Sequence, residues 1–487
     1  MLVVAMALAL SSAQVAEPTN WRAAYLRDLA FARAQIEANH PGPVDPENPA
    51  FTARFDTAYA EAEALPVRDY PGYAFGLNRF VLALGDTHTV FVPDYNRLHA
   101  RWAGVVVAGG DDVAPVVVDR EGEDAPPLGA RLIGCDGVSA QDMAAETLSW
   151  MGHAGKHFDR RMAVTWTLVD TGNPFRAPPR VCQFETDGQA LSYQMRWRDY
   201  GADTFTRLYG PIGIQPAVTG IEEIAPGVFW IGLPTFSPGG QERQALLALV
   251  AEIETRADEL RQARLIVFDV RGNGGGSTSW GARIVQALWP ASPEDAVTPS
   301  SAVDWRASSD NLAFIRTARE EMQSAGGQDE VVRFLTAVET GIAESLEAGR
   351  PYWRQGPAET GPSGGLTMRR PRGPGAFPAR VAFLSDDRCA SACLGFADRI
   401  LTRPGVTHLG MTTSGDNLYI EKRSDVILPA GGARLEHSMK VYRGRARGDM
   451  EAYTPDIAYT GAWDHPRLRA WVLSLLEEGR LDSPAAP

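Results

Sequence analysis

Three short runs of apolar residues constrain this chain most: GVFWIGLPTF from Gly227, RLIVFDV from Arg264 and VAFL from Val381. Each is β-prone and too uniformly apolar for a strand with one wet face. Runs of this type belong in a largely parallel sheet covered on both sides. Between the first two, residues 241–261 repeat apolar positions at helical spacing, and RLIVFDV runs into the glycine loop RGNGGG before a helix over 277–288. Strand, helix, strand is a crossover unit, so the expected fold class is α/β.

The third run leads through SDDR onto a second helical stretch, where Ala392, Cys393, Phe396, Ala397, Ile400 and Leu401 keep helical spacing. Ser391 stands at the junction. A serine there sits beside the first free N–H groups of a helix, where a developing negative charge is stabilised, and it can be either an ordinary N-cap or a nucleophile. The glycine loop fails as a phosphate site, lacking both a Lys-Ser/Thr pair and GxGxxG spacing. Its glycines suit a backbone that turns N–H groups toward a site without side chains in the way. Far upstream, LGDTHT closes a helix at Gly85 and places Asp86, Thr87 and His88 on a turn before the extended segment TVFVP.

Composition excludes several functions. The formal net charge is −13, with 47 Lys and Arg against 60 Asp and Glu. That balance argues against nucleic acid or an anionic membrane as a partner. Four cysteines, Cys135, Cys182, Cys389 and Cys393, are too scattered for a disulfide framework or a zinc site. Cys389 and Cys393 bracket Ser391 and could pair in an oxidising compartment, or simply pack a helix start. No metal or cofactor is expected. The apolar run in residues 1–16, with Ser11 and Ala13 suited to cleavage, reads as a secretory leader without its usual basic segment, or as part of an anchor. The expectation is a periplasmic or secreted protein with no membrane span once the leader is removed.

The rest of the chain divides by texture. Residues 17–95 read as a layer of helices that contributes the His88 turn. Residues 96–218 read as a β-rich module, in which PLGARLIGCDGVSAQDM resembles the back half of a PDZ domain; 151–218 continue in short strands with no chemical signal. Residues 219–480 carry the α/β texture, interrupted at about 292–375 by an insertion with a charged helical part and a Pro/Gly-rich tail.

DVRGNGGG after a buried strand, S-x-x-x-x-A-S-A at a helix head and the LGDTHT turn together resemble the tail-specific, C-terminal-processing family of serine peptidases, and its tricorn-like branch in particular. The resemblance covers 70–92 and 220–458. It implies a crotonase/ClpP-like ββα core with a polypeptide substrate, and it puts the nucleophile at Ser391. It puts the oxyanion hole at the N–H of Ala392 with one from Gly274 or Gly275. The lysine of the family's dyad enzymes would fall in GMTTSGDN, where this chain has Asp416, which cannot act as a neutral lysine does. The tricorn-like branch implies instead His88 as general base, oriented by Glu451, or failing that by Asp86. A non-catalytic binding protein of the same fold is the competing expectation; an α/β-hydrolase esterase is weaker, for want of a G-x-S-x-G elbow.

Overall fold

Along each of the three apolar runs successive side chains leave opposite faces of one sheet, and each face has its own core. The computed structural model describes residues 20–110, 113–210, 213–289, 302–326, 329–355, 379–403, 405–430 and 432–481. The leader-like segment and the Pro/Gly-rich tail of the insertion lie outside the described residues. The described residues form two compact units, one comprising those of Ile214–Leu418 and from Val441 to Leu481, the other those from Asn20 to Gly213 with Tyr419–Lys440.

The first unit is built on a six-stranded sheet. Gly220–Ala225 pairs antiparallel with Val228–Gly232, and Leu265–Asp269, Arg380–Ser385, Val406–Gly410 and Ile457–Ala458 follow in parallel. Phe229, Ile231, Ile266, Phe268, Val381 and Phe383 face one core, which includes side chains of the helices Gly240–Thr255, Thr278–Leu288 and Ala392–Ile400. Val228, Trp230, Leu265, Val267, Ala382 and Leu384 face the other, under the closing helix His465–Glu477. The sheet is covered on both faces, as the uniform apolarity of its strands requires. The insertion holds two packed helices, Ser309–Ser324 and Asp329–Glu347, and the antiparallel strands Ala302–Arg306 and Tyr352–Gln355.

In the second unit the helices expected within residues 17–95 are Trp21–Asn39, Ala50–Ala64 and Tyr70–Ala83. The β-rich module contains the sheet Val105–Gly110, Val113–Arg120, Arg131–Cys135, Val181–Thr186, Gln189–Gln194. The hairpin at Cys135–Val138 leads into the helix Ala140–Met151. Helices also form at His157–Thr165 and Ala202–Tyr209, which corrects the reading of 151–218 as short strands only. Their apolar positions are few and interspersed with charge, so the pattern was weak.

All four cysteines are paired: Cys389 with Cys393, one of the two readings left open for them, and Cys135 with Cys182, which corrects the reading of those two as too scattered for a disulfide framework. Cys135 and Cys182 stand opposite each other on adjacent strands, a neighbourhood that only strand register creates. Among the described residues no helix is long and apolar enough to cross a membrane.

Candidate active site

Three loops of the first unit leave the carboxyl ends of neighbouring parallel strands, where open α/β sheets place their ligands. They are the glycine loop after Leu265–Asp269, the SDDR turn after Arg380–Ser385, and 411–417 after Val406–Gly410. Backbone bonds tie them together. Ala390 donates to Asn273 O at 3.3 Å, and Ser414 donates to Cys389 O at 3.1 Å. Asp386 accepts the Gly272 N–H at 2.8 Å through one oxygen and the Arg388 N–H at 3.1 Å through the other. Burial foremost, with the adjacent Asp387 charge, pushes the Asp386 carboxyl up to about 7 despite those bonds.

Ser391 occupies the N-cap position of the helix Ala392–Ile400, with φ 53° and ψ −118°. A non-glycine residue with positive φ is strained. Its side chain makes no capping hydrogen bond, so the ordinary-cap reading does not describe it. The glycine loop comes very near: a Cβ added to Gly275, itself at φ +99°, would lie 2.7 Å from Ser391 Cβ and 3.0 Å from Ala392 N. Only glycine fits. Ala392 is the first residue of its helix, so its N–H has no intrahelical acceptor. The N–H of Gly275 donates to Asn273 Oδ1 at 3.0 Å, and that of Gly274 to Gly272 O at 3.0 Å.

Two side chains the sequence reading did not weigh set this loop. Asp269 and Arg271 form a fully buried pair at 2.5 Å, and Asp269 also accepts Trp230 Nε1–H at 3.0 Å. Arg271 donates onward to Gln215 O at 2.9 Å. The DVR of the motif was a signal for this anchor.

Asp416 has Arg445 Nη1 at 3.7 Å and Arg447 Nη2 at 4.0 Å from its carboxylate. A carboxylate near two arginines stands at the position where the resemblance leads one to expect the dyad lysine. Glu451 is exposed; its carboxylate accepts the Gly448 N–H at 2.5 Å and makes no other hydrogen bond among the described residues.

His88 lies in the second unit, buried, on the turn between the helix Tyr70–Ala83 and the strand Val90–Val92. Asp86 organises that turn. Its carboxylate accepts the His88 N–H at 2.9 Å, Thr89 Oγ–H at 2.6 Å, Ser438 Oγ–H at 2.7 Å and His40 Nε2–H at 2.9 Å. The Gly42 N–H donates to His40 Nδ1, which leaves the ring hydrogen on Nε2. Burial alone would raise the Asp86 pKa, but the His40 bond, the nearby imidazoles of His40 and His88 and the Thr89 bond together hold it well below the carboxylate range. Asp86 is bonded to the backbone N–H of His88. The imidazole it holds is that of His40.

Sequence reading passed over His40 and two further neighbours of this turn. His153 feels the charges of Asp86 and His88, and burial foremost, then Lys156, holds its pKa down to about 4. Glu421, paired with Lys440 at 3.0 Å, feels the charge of His88. None carries a local motif; they meet by folding alone.

No protein-family model matches the chain, and no curated protein matches it. Among solved structures it is similar to mature CPAF, at 12% identity over 90% of this chain and 93% of that one, with a TM-score of 0.59. CPAF complexed with lactacystin matches with the same score over 94% of this chain and 97% of that one, also at 12% identity. The photosystem II D1 C-terminal processing protease and the tricorn protease align at 13% and 12% identity with TM-scores of only 0.34 and 0.36. The fold of this chain, over nearly its whole length, is similar to that of mature CPAF.

Proposed function

We propose that this protein is a serine endopeptidase, exported from the cytoplasm, that hydrolyses polypeptides through an acyl-enzyme on Ser391. The observation that carries this reading is Ser391 itself: strained, uncapped, at a strand-to-helix turn against a glycine that no other residue could replace. The similarity of fold to CPAF supports it, and both disulfides suit an oxidising compartment.

In the proposed mechanism His88 takes the Ser391 hydroxyl proton as Oγ attacks the peptide carbonyl, then returns it to the leaving amine. Water then attacks the ester, and the serine is regenerated. The Ala392 N–H is the first oxyanion donor. Gly275 or Gly274 becomes the second when its N–H exchanges the loop acceptor for the oxyanion. Glu451 orients His88 once its carboxylate releases Gly448.

A fluorophosphonate probe tests the assignment. Covalent label on Ser391, lost in Ser391→Ala and strongly reduced in His88→Ala, is the expected result, with hydrolysis of an unfolded polypeptide falling by ~10³-fold or more. Lactacystin, present in a CPAF structure, is a second probe. A Ser391→Ala protein that cleaves at the normal rate overturns the assignment. The occupied N–H groups of Gly274 and Gly275 favour a second reading, a non-catalytic polypeptide-binding protein; binding without labelling would establish it.

A further inference from the structure

The backbone around Ser391 is held in a shape that serine does not choose. At positive φ an L-residue brings its Cβ against the neighbouring peptide, and such conformations persist only where the surroundings over-determine them. On the glycine-loop side two contacts do so: the Ala390 N–H bond to Asn273 O and the close approach of Gly275. On the other side stands the Cys389–Cys393 bond. It closes a ring around Ala390, Ser391 and Ala392, joining the residue after the SDDR turn to the second residue of the helix. Both cysteines are fully buried and belong to the core that includes Phe383, Phe396 and Ile284. The ring is therefore rooted in packed side chains on the sheet side while Ser391 itself stays partly exposed.

We infer that Cys389 and Cys393 are positioning residues for the nucleophile: their disulfide holds Ser391 in its strained, attacking conformation. The inference rests on Ser391 being the nucleophile. Without the bond, residues 389–393 gain freedom, the serine relaxes toward ordinary backbone angles, and the attacking conformer becomes a minor population. A strain of the size typical for such residues corresponds to a loss of roughly tenfold or more in the rate of attack. Substrate affinity, set elsewhere, does not change. The second bridge, Cys135–Cys182, joins two strands of the β-rich module and provides a control. Reduction by a phosphine in water breaks the S–S bond, leaves a hydrogen on each sulfur and converts the phosphine to its oxide.

The test compares wild type, Cys389→Ala/Cys393→Ala and Cys135→Ala/Cys182→Ala. Fluorophosphonate labelling rate, kcat, KM and melting temperature are measured for each. The expected result is labelling and kcat reduced about tenfold or more in the first pair, with KM unchanged, and wild-type labelling in the second. If the first pair does not fold, wild type reduced with a phosphine, its thiols counted by mass, is assayed instead, with the same loss expected. A wild type that labels on Ser391 and a first pair, or reduced protein, that labels equally fast overturns the inference alone. A wild type that never labels overturns the serine assignment, and the inference with it.

Discussion

A serine at the head of a helix is ambiguous in sequence because capping and nucleophilic attack ask for the same residue at the same place. What separates them is the backbone: a capping serine lies in the β region and bonds the helix, whereas Ser391 has positive φ and no capping bond. Asp386, five residues earlier, shows a residue-scale effect that SDDR does not announce. Its pKa is raised from 3.8 to about 7 by burial and by Asp387, so between those values the folded state binds a proton that the unfolded state has released. Stability from this group is complete below about pH 4 and falls as pH rises through 7. Asp386→Asn removes that titration. Melting curves across this range should show a downward slope in wild type that flattens in the variant; equal slopes would mean that Asp386 does not titrate there.

At the scale of elements, the helix Ala392–Ile400 is held by one aromatic side chain above all. Phe396 is fully buried and its ring meets Phe236 at 5.8 Å, Phe268 at 5.4 Å and Phe383 at 6.0 Å between centroids. It thereby packs the helix that carries Ser391 onto two strands of the sheet and onto Phe236. Phe396→Ala should cost about 3–5 kcal/mol in urea unfolding, and a loss below ~1 kcal/mol would show that the site collapses to fill the space. Gly275 links two elements in another way. Any side chain there would meet Ser391 Cβ and Ala390 O, so Gly275→Ala should abolish probe labelling while leaving most of the melting temperature. Normal labelling in that variant would contradict the close approach.

For the whole molecule, the response to acid below pH 4 comes from carboxylates held ionised in the folded state, such as Asp86 and Asp304. Asp86, in the second unit, has its pKa depressed below 3.8, so its contribution is present above that pH and disappears as pH falls below it. Asp386, in the first, is already protonated at that pH and adds no further slope. Asp86→Asn should therefore be less stable than wild type at pH 7 yet lose less in acid. Urea unfolding at pH 7 and at pH 3 would check it, and an equal loss between those values in wild type and variant would refute it.

The sequence determined the parallel sheet, because uniformly apolar runs such as LIVFDV and VAFL have no other place to bury both faces. It also determined the helices Trp21–Asn39, Ala50–Ala64 and Tyr70–Ala83, whose apolar spacing and stop signals are local. Tertiary structure decided the rest. The angle at Ser391, the bridges of Cys135 and Cys389, the set of donors around Asp86 and the occupied N–H groups of the glycine loop depend on residues distant in sequence or on backbone angles. Periodicity reports which face of an element is buried. It carries no information on which buried polar atoms then meet, and the chemistry of this site depends on those meetings.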